Sequence, residues 1–202
     1  VPEPDASRNR AGKTRAREEV LTNSFAERRT RLDRFERAMP QELIRDGKLD
    51  RQATAEALRH FLEASLKPSR MVVMVQKEVA EEIIAKPGRM SLLSVSVQFY
   101  GEPRIISYVP AQCFYPAPEV DSAILRIDVY SQPAVAVDVE SFFELVRAGF
   151  SVPRKQICNS LAHGLGLPKA EVLSLLVKAD IVSQRRAETL TLAEWARLWQ
   201  VL

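Results

Sequence analysis

The chain holds only two cysteines, Cys113 and Cys158, and two histidines, His60 and His163. Two cysteines make no disulfide framework, so a reducing, cytoplasmic setting is expected. So small a His/Cys set also argues against a metal cluster, and no metal is expected. No apolar run approaches the roughly 20 residues of a membrane span, which argues against a membrane partner. The start of the chain is polar and rich in arginine, without the apolar centre of a signal peptide. A strong charge imbalance is missing too. The formal net charge is +3, which permits a nucleic-acid partner without requiring one.

What is present is an ordinary globular composition. At 202 residues with 46% hydrophobic content, the chain is one large domain or two small ones, with ample material for a core. Residues 1–52 stand apart: arginine is dense there, and Tyr, Trp and Cys are absent. Ala11-Gly12-Lys13-Thr14 ends like a phosphate loop, but the earlier glycine and a leading strand are missing, so it reads as none. Glu27 to Met39 would form a charged helix with Leu32, Phe35 and Met39 on one stripe. Residues 1–52 are therefore expected to be a basic arm, helical or irregular.

From Ala53 the pattern turns globular. Ala55 to Leu66 reads as an amphipathic helix with Ala57, Leu58, Phe61, Leu62 and Leu66 inward, stopped by Pro68. Met71 to Val75 is a continuous apolar run, which predicts a strand buried on both faces. A helix from Lys77 to about Ala85 follows, ended by Pro87-Gly88. Leu92 to Tyr100 is ambiguous between helix and strand, and leans to helix. Ile105 to Val109 and Ala123 to Val129 read as strands able to pair antiparallel at a sheet edge. Ser131-Gln132-Pro133 looks like a linker, which places one domain at 53–131 and a helical one at 132–202. The latter would contain helices at Phe142–Phe150 and Arg154–Gly164, a third opening on Pro168 and running to about Lys178, and a last one started by the capping-box spacing of Thr191 and Glu194.

One stretch carries more than packing. Phe114-Tyr115-Pro116-Ala117-Pro118-Glu119-Val120-Asp121-Ser122 presents two aromatics on a loop that two prolines stiffen. A rigid, hydrogen-bond-poor loop that carries aromatics to a sheet edge suits the stacking of a planar base, and equally suits a proline-rich connection with two core aromatics.

Taken with Met71 to Ala80, Arg147 to Lys155, Asn159-Ser160-Leu161 and Arg185 to Leu190, this loop resembles the ribosomal RNA small-subunit adenine dimethyltransferase family over about residues 53–202. The resemblance implies an α/β fold plus an all-α part: a partial doubly wound, Rossmann-type methyltransferase sheet followed by a small helical RNA-binding domain. It implies S-adenosylmethionine as methyl donor and small-subunit ribosomal RNA, or the pre-ribosomal subunit, as partner. Phe114 would stack on the target adenine, which must leave its helix before its amine can meet a donor. Tyr115 would assist or lie in the core. Arg154 and Lys155, at the start of a helix, would contact phosphates, and Arg185 and Arg186 would add to the same field.

Two family motifs have no counterpart. The glycine-rich donor turn, Glu-Ile-Gly-Pro-Gly, does not occur, and where the family has Asn-Leu-Pro-Tyr this chain reads Lys48-Leu49-Asp50-Arg51. A lysine there would oppose a positively charged sulfonium and could not accept the amine's hydrogen bond. No catalytic residue is intact on this reading, and the donor-binding residues are unassigned. Codons exist for Ser7 to Gly12 that, read one base later, spell the missing turn. A frame-disrupted remnant and an added basic arm are both compatible with the segment. The expectation is a family member that transfers no methyl group as this chain, with a non-catalytic rRNA-binding or ribosome-assembly protein as the alternative.

Overall fold

In the computed structural model the described residues are 51–64 and 67–202, and residues 49–202 form a compact unit. The expected helix at 27–39, the Ala11–Thr14 stretch, the Lys48–Asp50 register and Leu66 lie outside the described residues.

Helix α1 (Arg51–Glu63) buries Leu58 and Leu62, one turn apart, with Phe61 half-buried beside them. Strand β1 (Arg70–Gln76) leads straight into α2 (Lys77–Ile83). Helix α3 (Leu92–Tyr100) starts on a capping box between Ser91 and Ser94, and passes directly into β2 (Gly101–Val109). A short 3-10 turn, Ala111–Cys113, opens the loop to β3 (Ser122–Val129). The strand order is β1-β3-β2, with both ladders antiparallel, so β1 and β2 run the same way with β3 between them. Pro103 sits in β2, which among the described residues pairs with β3 alone, and β2 bulges between Ile105 and Ser107.

The expectation of a strand buried on both faces at Met71–Val75 is corrected. Met71 and Val75 are buried, but Val72 is 62% exposed and Met74 51%. Alternation puts Met71 and Val75 on the face that α2 packs against, while Val72 and Met74 point to a face open among the described residues. Among those residues, β1 pairs with β3 alone.

Four helices follow: α4 (Val139–Phe150), α5 (Ile157–Leu165), α6 (Lys169–Lys178) and α7 (Leu192–Gln200). Asp138 caps α4 through Ser141 N, and Thr191 with Glu194 forms the expected capping box on α7. Pro168 is the N-cap of α6 rather than its first helical residue. The expected helix from Arg154 begins only at Ile157. Arg154 has φ +64°, a left-handed conformation incompatible with a helix start, so Arg154 and Lys155 lie in the turn before α5.

The helices share their core with the sheet layer. The rings of Phe99 (α3) and Phe142 (α4) stack with centroids 5.1 Å apart, and Phe143 meets Phe99 edge-on at the same distance. Each such fully buried large side chain contributes about 1.5–3 kcal/mol. Trp195 is fully buried against Gly149, where a Cβ would lie 2.3 Å from the indole ring, so only glycine fits that point of α4. No helix among the described residues is long and apolar enough to cross a membrane.

Candidate nucleic-acid interface

The Phe114 loop leaves the sheet where β1 and β2 both end and β3 begins, since Gln76 and Val109 each face Ser122. In open α/β sheets the carboxyl ends of the strands are where ligands bind. The loop is tied down by one residue. The Asp121 side chain accepts from Ala111 N at 3.0 Å, and the Asp121 carbonyl accepts from Lys77 N at 3.0 Å. Asp121 thus joins the loop's two feet and fixes them to the first residue of α2. Inside the loop, Cys113 N donates to Pro110 O at 3.0 Å and Phe114 N to Ala111 O at 3.2 Å.

This bracing leaves the side chains of the tip free. Phe114 is half-buried, whereas Tyr115 is fully exposed, at 102% of the reference area. Tyr115 is therefore not a core aromatic. Beside the loop's foot the Lys77 ammonium lies 5.5 Å from the centroid of the Tyr108 ring, and the Tyr108 hydroxyl donates to Glu81 at 3.4 Å.

The basic residues of the helical part form a second group. The Ile157 amide donates to Arg185 O at 2.6 Å, which joins the turn carrying Arg154 and Lys155 to the segment carrying Arg185 and Arg186. The Glu188 carbonyl accepts from Gly88 N at 2.8 Å and from Met90 N at 3.2 Å, so the loop with Lys86 and Arg89 adjoins the same segment. Sequence reading missed those two cations, because only this tertiary contact brings them there.

Adjacent Arg185 and Arg186 have different surroundings. Arg186 is exposed and reaches Glu188 only at 3.6 Å. Arg185 turns inward. Its Nε donates to Thr189 Oγ1 at 3.1 Å, and its two terminal nitrogens donate to the Glu194 carboxylate. The Arg185 guanidinium holds the Glu194 carboxyl down to about 2, with the Thr191 amide and hydroxyl adding to the effect. Among the described residues neither Arg154 nor Lys155 makes an ion pair. No hydrogen bond or ion pair there joins the Phe114 loop to either basic pair.

Three of the described glycines are closed by protein. A Cβ at Gly101 would meet Asp128 O at 2.8 Å, one at Gly149 the Trp195 ring, and one at Gly164 the Ala148 backbone at 2.5 Å. Their lack of a side chain is accounted for by packing. Gly88 and Gly166 have positive φ and open space around them, Gly166 as the C-cap of α5.

The chain is similar to known proteins in sequence and in fold. The profile of the family described as ribosomal RNA adenine dimethylase matches residues 16–199, so the likeness begins well before residue 53, where the motif resemblance starts. The chain is 52% identical over 162 residues to a "Ribosomal RNA small subunit methyltransferase A" from Dehalococcoides mccartyi, covering 79% of this chain and 55% of that protein. A protein of the same name from Desulfitobacterium hafniense is 44% identical over 151 residues, covering 74% and 54%. The chain thus spans about half the length of the curated relatives it matches. Among solved structures, the 23S rRNA methyltransferase ErmE superposes with a TM-score of 0.55 at 25% identity, covering 75% of this chain and 60% of that one. A dimethyladenosine transferase from Plasmodium falciparum gives 0.59 at 22% identity over 75% and 63%, a likeness of fold alone.

Proposed function

The chain belongs to the ribosomal RNA adenine dimethylase family, and on that footing we propose that residues 51–202 form the acceptor side of a methyltransferase directed at adenines of small-subunit ribosomal RNA. The observation that carries this is the Phe114 loop, braced through Asp121 at the carboxyl ends of β1 and β2 with its aromatic tip left open. An adenine extruded from its stack would lie on Phe114, and the half-buried ring would hold it in one plane. Arg154, Lys155 and Arg186 would take RNA phosphates, with Lys86 and Arg89 extending the same charged border. Arg185 serves this field indirectly, by fixing the segment that carries Arg186. The helical part from residue 132 acts as the RNA grip, and the reading places the protein with ribosomes in the cytoplasm.

S-adenosylmethionine is the donor in this family, and Gly101, Gly149 and Gly164 are packed against protein rather than open to a ligand. The Lys48-Leu49-Asp50-Arg51 sequence, where the family has Asn-Leu-Pro-Tyr, favours a second reading, a non-catalytic rRNA-binding or ribosome-assembly protein built on the same surface. Two titrations test these readings, the first the shared RNA surface and the second the choice between them. Anisotropy with a labelled small-subunit rRNA hairpin is expected to show binding that Phe114→Ala weakens by about 1–3 kcal/mol. Calorimetry with S-adenosylmethionine is expected to show no heat of binding. Hairpin binding that ignores Phe114 overturns the assignment of the loop, and donor binding with methyl incorporation removes the non-catalytic reading.

A further inference from the structure

Phe114 and Tyr115 are consecutive on the bent tip of the loop, and their rings have different surroundings. One ring is half-buried; the other is the most exposed large hydrophobic side chain among the described residues. A single exposed aromatic is ordinary on a protein surface. This one stands on a backbone held by Pro116, Pro118 and the Asp121 brace, so ordering it against a ligand loses little conformational freedom. At the foot of the same loop, Lys77 donates its amide to Asp121 and holds its ammonium over Tyr108, itself 49% exposed. A cation is therefore available where a phosphate would pass.

The chemistry of base extrusion gives Tyr115 a use. When one base leaves its stack, its neighbour loses a partner on one face. A tip with two consecutive aromatics can receive the extruded base on one ring and cover the orphaned neighbour with the other. We propose that Tyr115 is a second stacking platform, which takes the nucleobase adjacent to the one Phe114 receives. The proposal rests on the reading of this loop as an RNA-receiving surface and assigns a separate task to its exposed ring. Stacking needs the ring and not the hydroxyl, so Phe would serve in its place.

The test uses the full chain and an RNA hairpin whose loop holds two adjacent adenines, each replaced in turn by 2-aminopurine, whose fluorescence falls on stacking. The unmodified protein is expected to quench both positions. Tyr115→Ala should abolish quenching at one position only and weaken binding about tenfold. Phe114→Ala should abolish it at the other, and Tyr115→Phe should behave as the unmodified protein. A ring so exposed is dispensable for folding, and unchanged melting of Tyr115→Ala checks this. Quenching at both positions that survives Tyr115→Ala overturns the proposal while leaving Phe114's role intact. Loss of both positions together overturns it too, because Tyr115 would then only support Phe114. Failure of the unmodified protein to bind the hairpin removes the underlying reading and the proposal with it.

Discussion

The loop at 110–121 and the segment at 185–194 both carry side chains marked for RNA, and they are held in place by opposite means. In the loop, backbone amides, two prolines and one carboxylate do the holding, so the aromatic tip stays open. In the segment, a charged side chain does the holding. Arg185 is bound to Glu194 and Thr189, and only its neighbour Arg186 faces outward. A residue type therefore says little about its employment: two consecutive arginines divide into one that fixes the fold and one available to a ligand.

The largest effect that would break this contrast is at the buried end. Arg185→Ala leaves Glu194 with a charge and half of its partners gone, in a site where the two side chains are 30% and 15% exposed. It should cost about 2–3 kcal/mol, seen as a fall in Tm of roughly 5–10 °C by calorimetry. The pH dependence follows from the same pair. Because the folded-state value of Glu194 is lowered from 4.5 to about 2, the unfolded state binds more protons between those values. Its contribution is complete above about pH 4.5 and is lost as pH falls towards 2. Arg185→Ala should flatten the acid limb in that window and leave the neutral-to-alkaline side parallel to the parent. An unchanged Tm and acid limb would mean that the two arginines are equivalent after all.

A smaller effect sharpens the other half of the contrast. Asp121→Ala removes the acceptor for Ala111 N in an exposed loop, so stability should fall by only about 0.5–1 kcal/mol. Hairpin affinity should drop several-fold all the same, because the tip loses its brace. If affinity stays at the parent value, bracing through Asp121 is not what readies the loop for a base.

How much of this was legible beforehand depends on how local the cause is. The capping box at Thr191 and Glu194 shows in spacing, and so does the helix at 169–178, within a residue or two, whereas the pattern of 92–100 suits a helix or a strand. The faces of β1 were misjudged because a run such as Met71–Val75 looks the same whether one side or both are covered; only the layers around it decide. The turn at Arg154 was misplaced because a left-handed non-glycine residue leaves no mark in the sequence. Phe114 and Tyr115 could be singled out but not told apart, because the difference in their burial is set by tertiary packing. Asp121 reaches across ten residues and Arg185 across nine, and neither reach has a local signature.

The smallest expected effect on stability is the most informative about the RNA side. Arg186 is about half exposed, and its 3.6 Å contact with Glu188 is a weak surface pair. Arg186→Ala should leave stability within about 0.5 kcal/mol of the parent, and Tm almost unmoved. If Arg186 contacts a single-stranded phosphate, the same change releases one counterion fewer on binding. A plot of log affinity for the hairpin against log salt should then become shallower by about 0.7. An unaltered slope would place the phosphate track elsewhere and leave Arg186 as a solvated neighbour of its anchored twin. A slope that changes while Tm holds, beside an Arg185→Ala variant that behaves the opposite way, would establish the division of labour between two consecutive residues of one type.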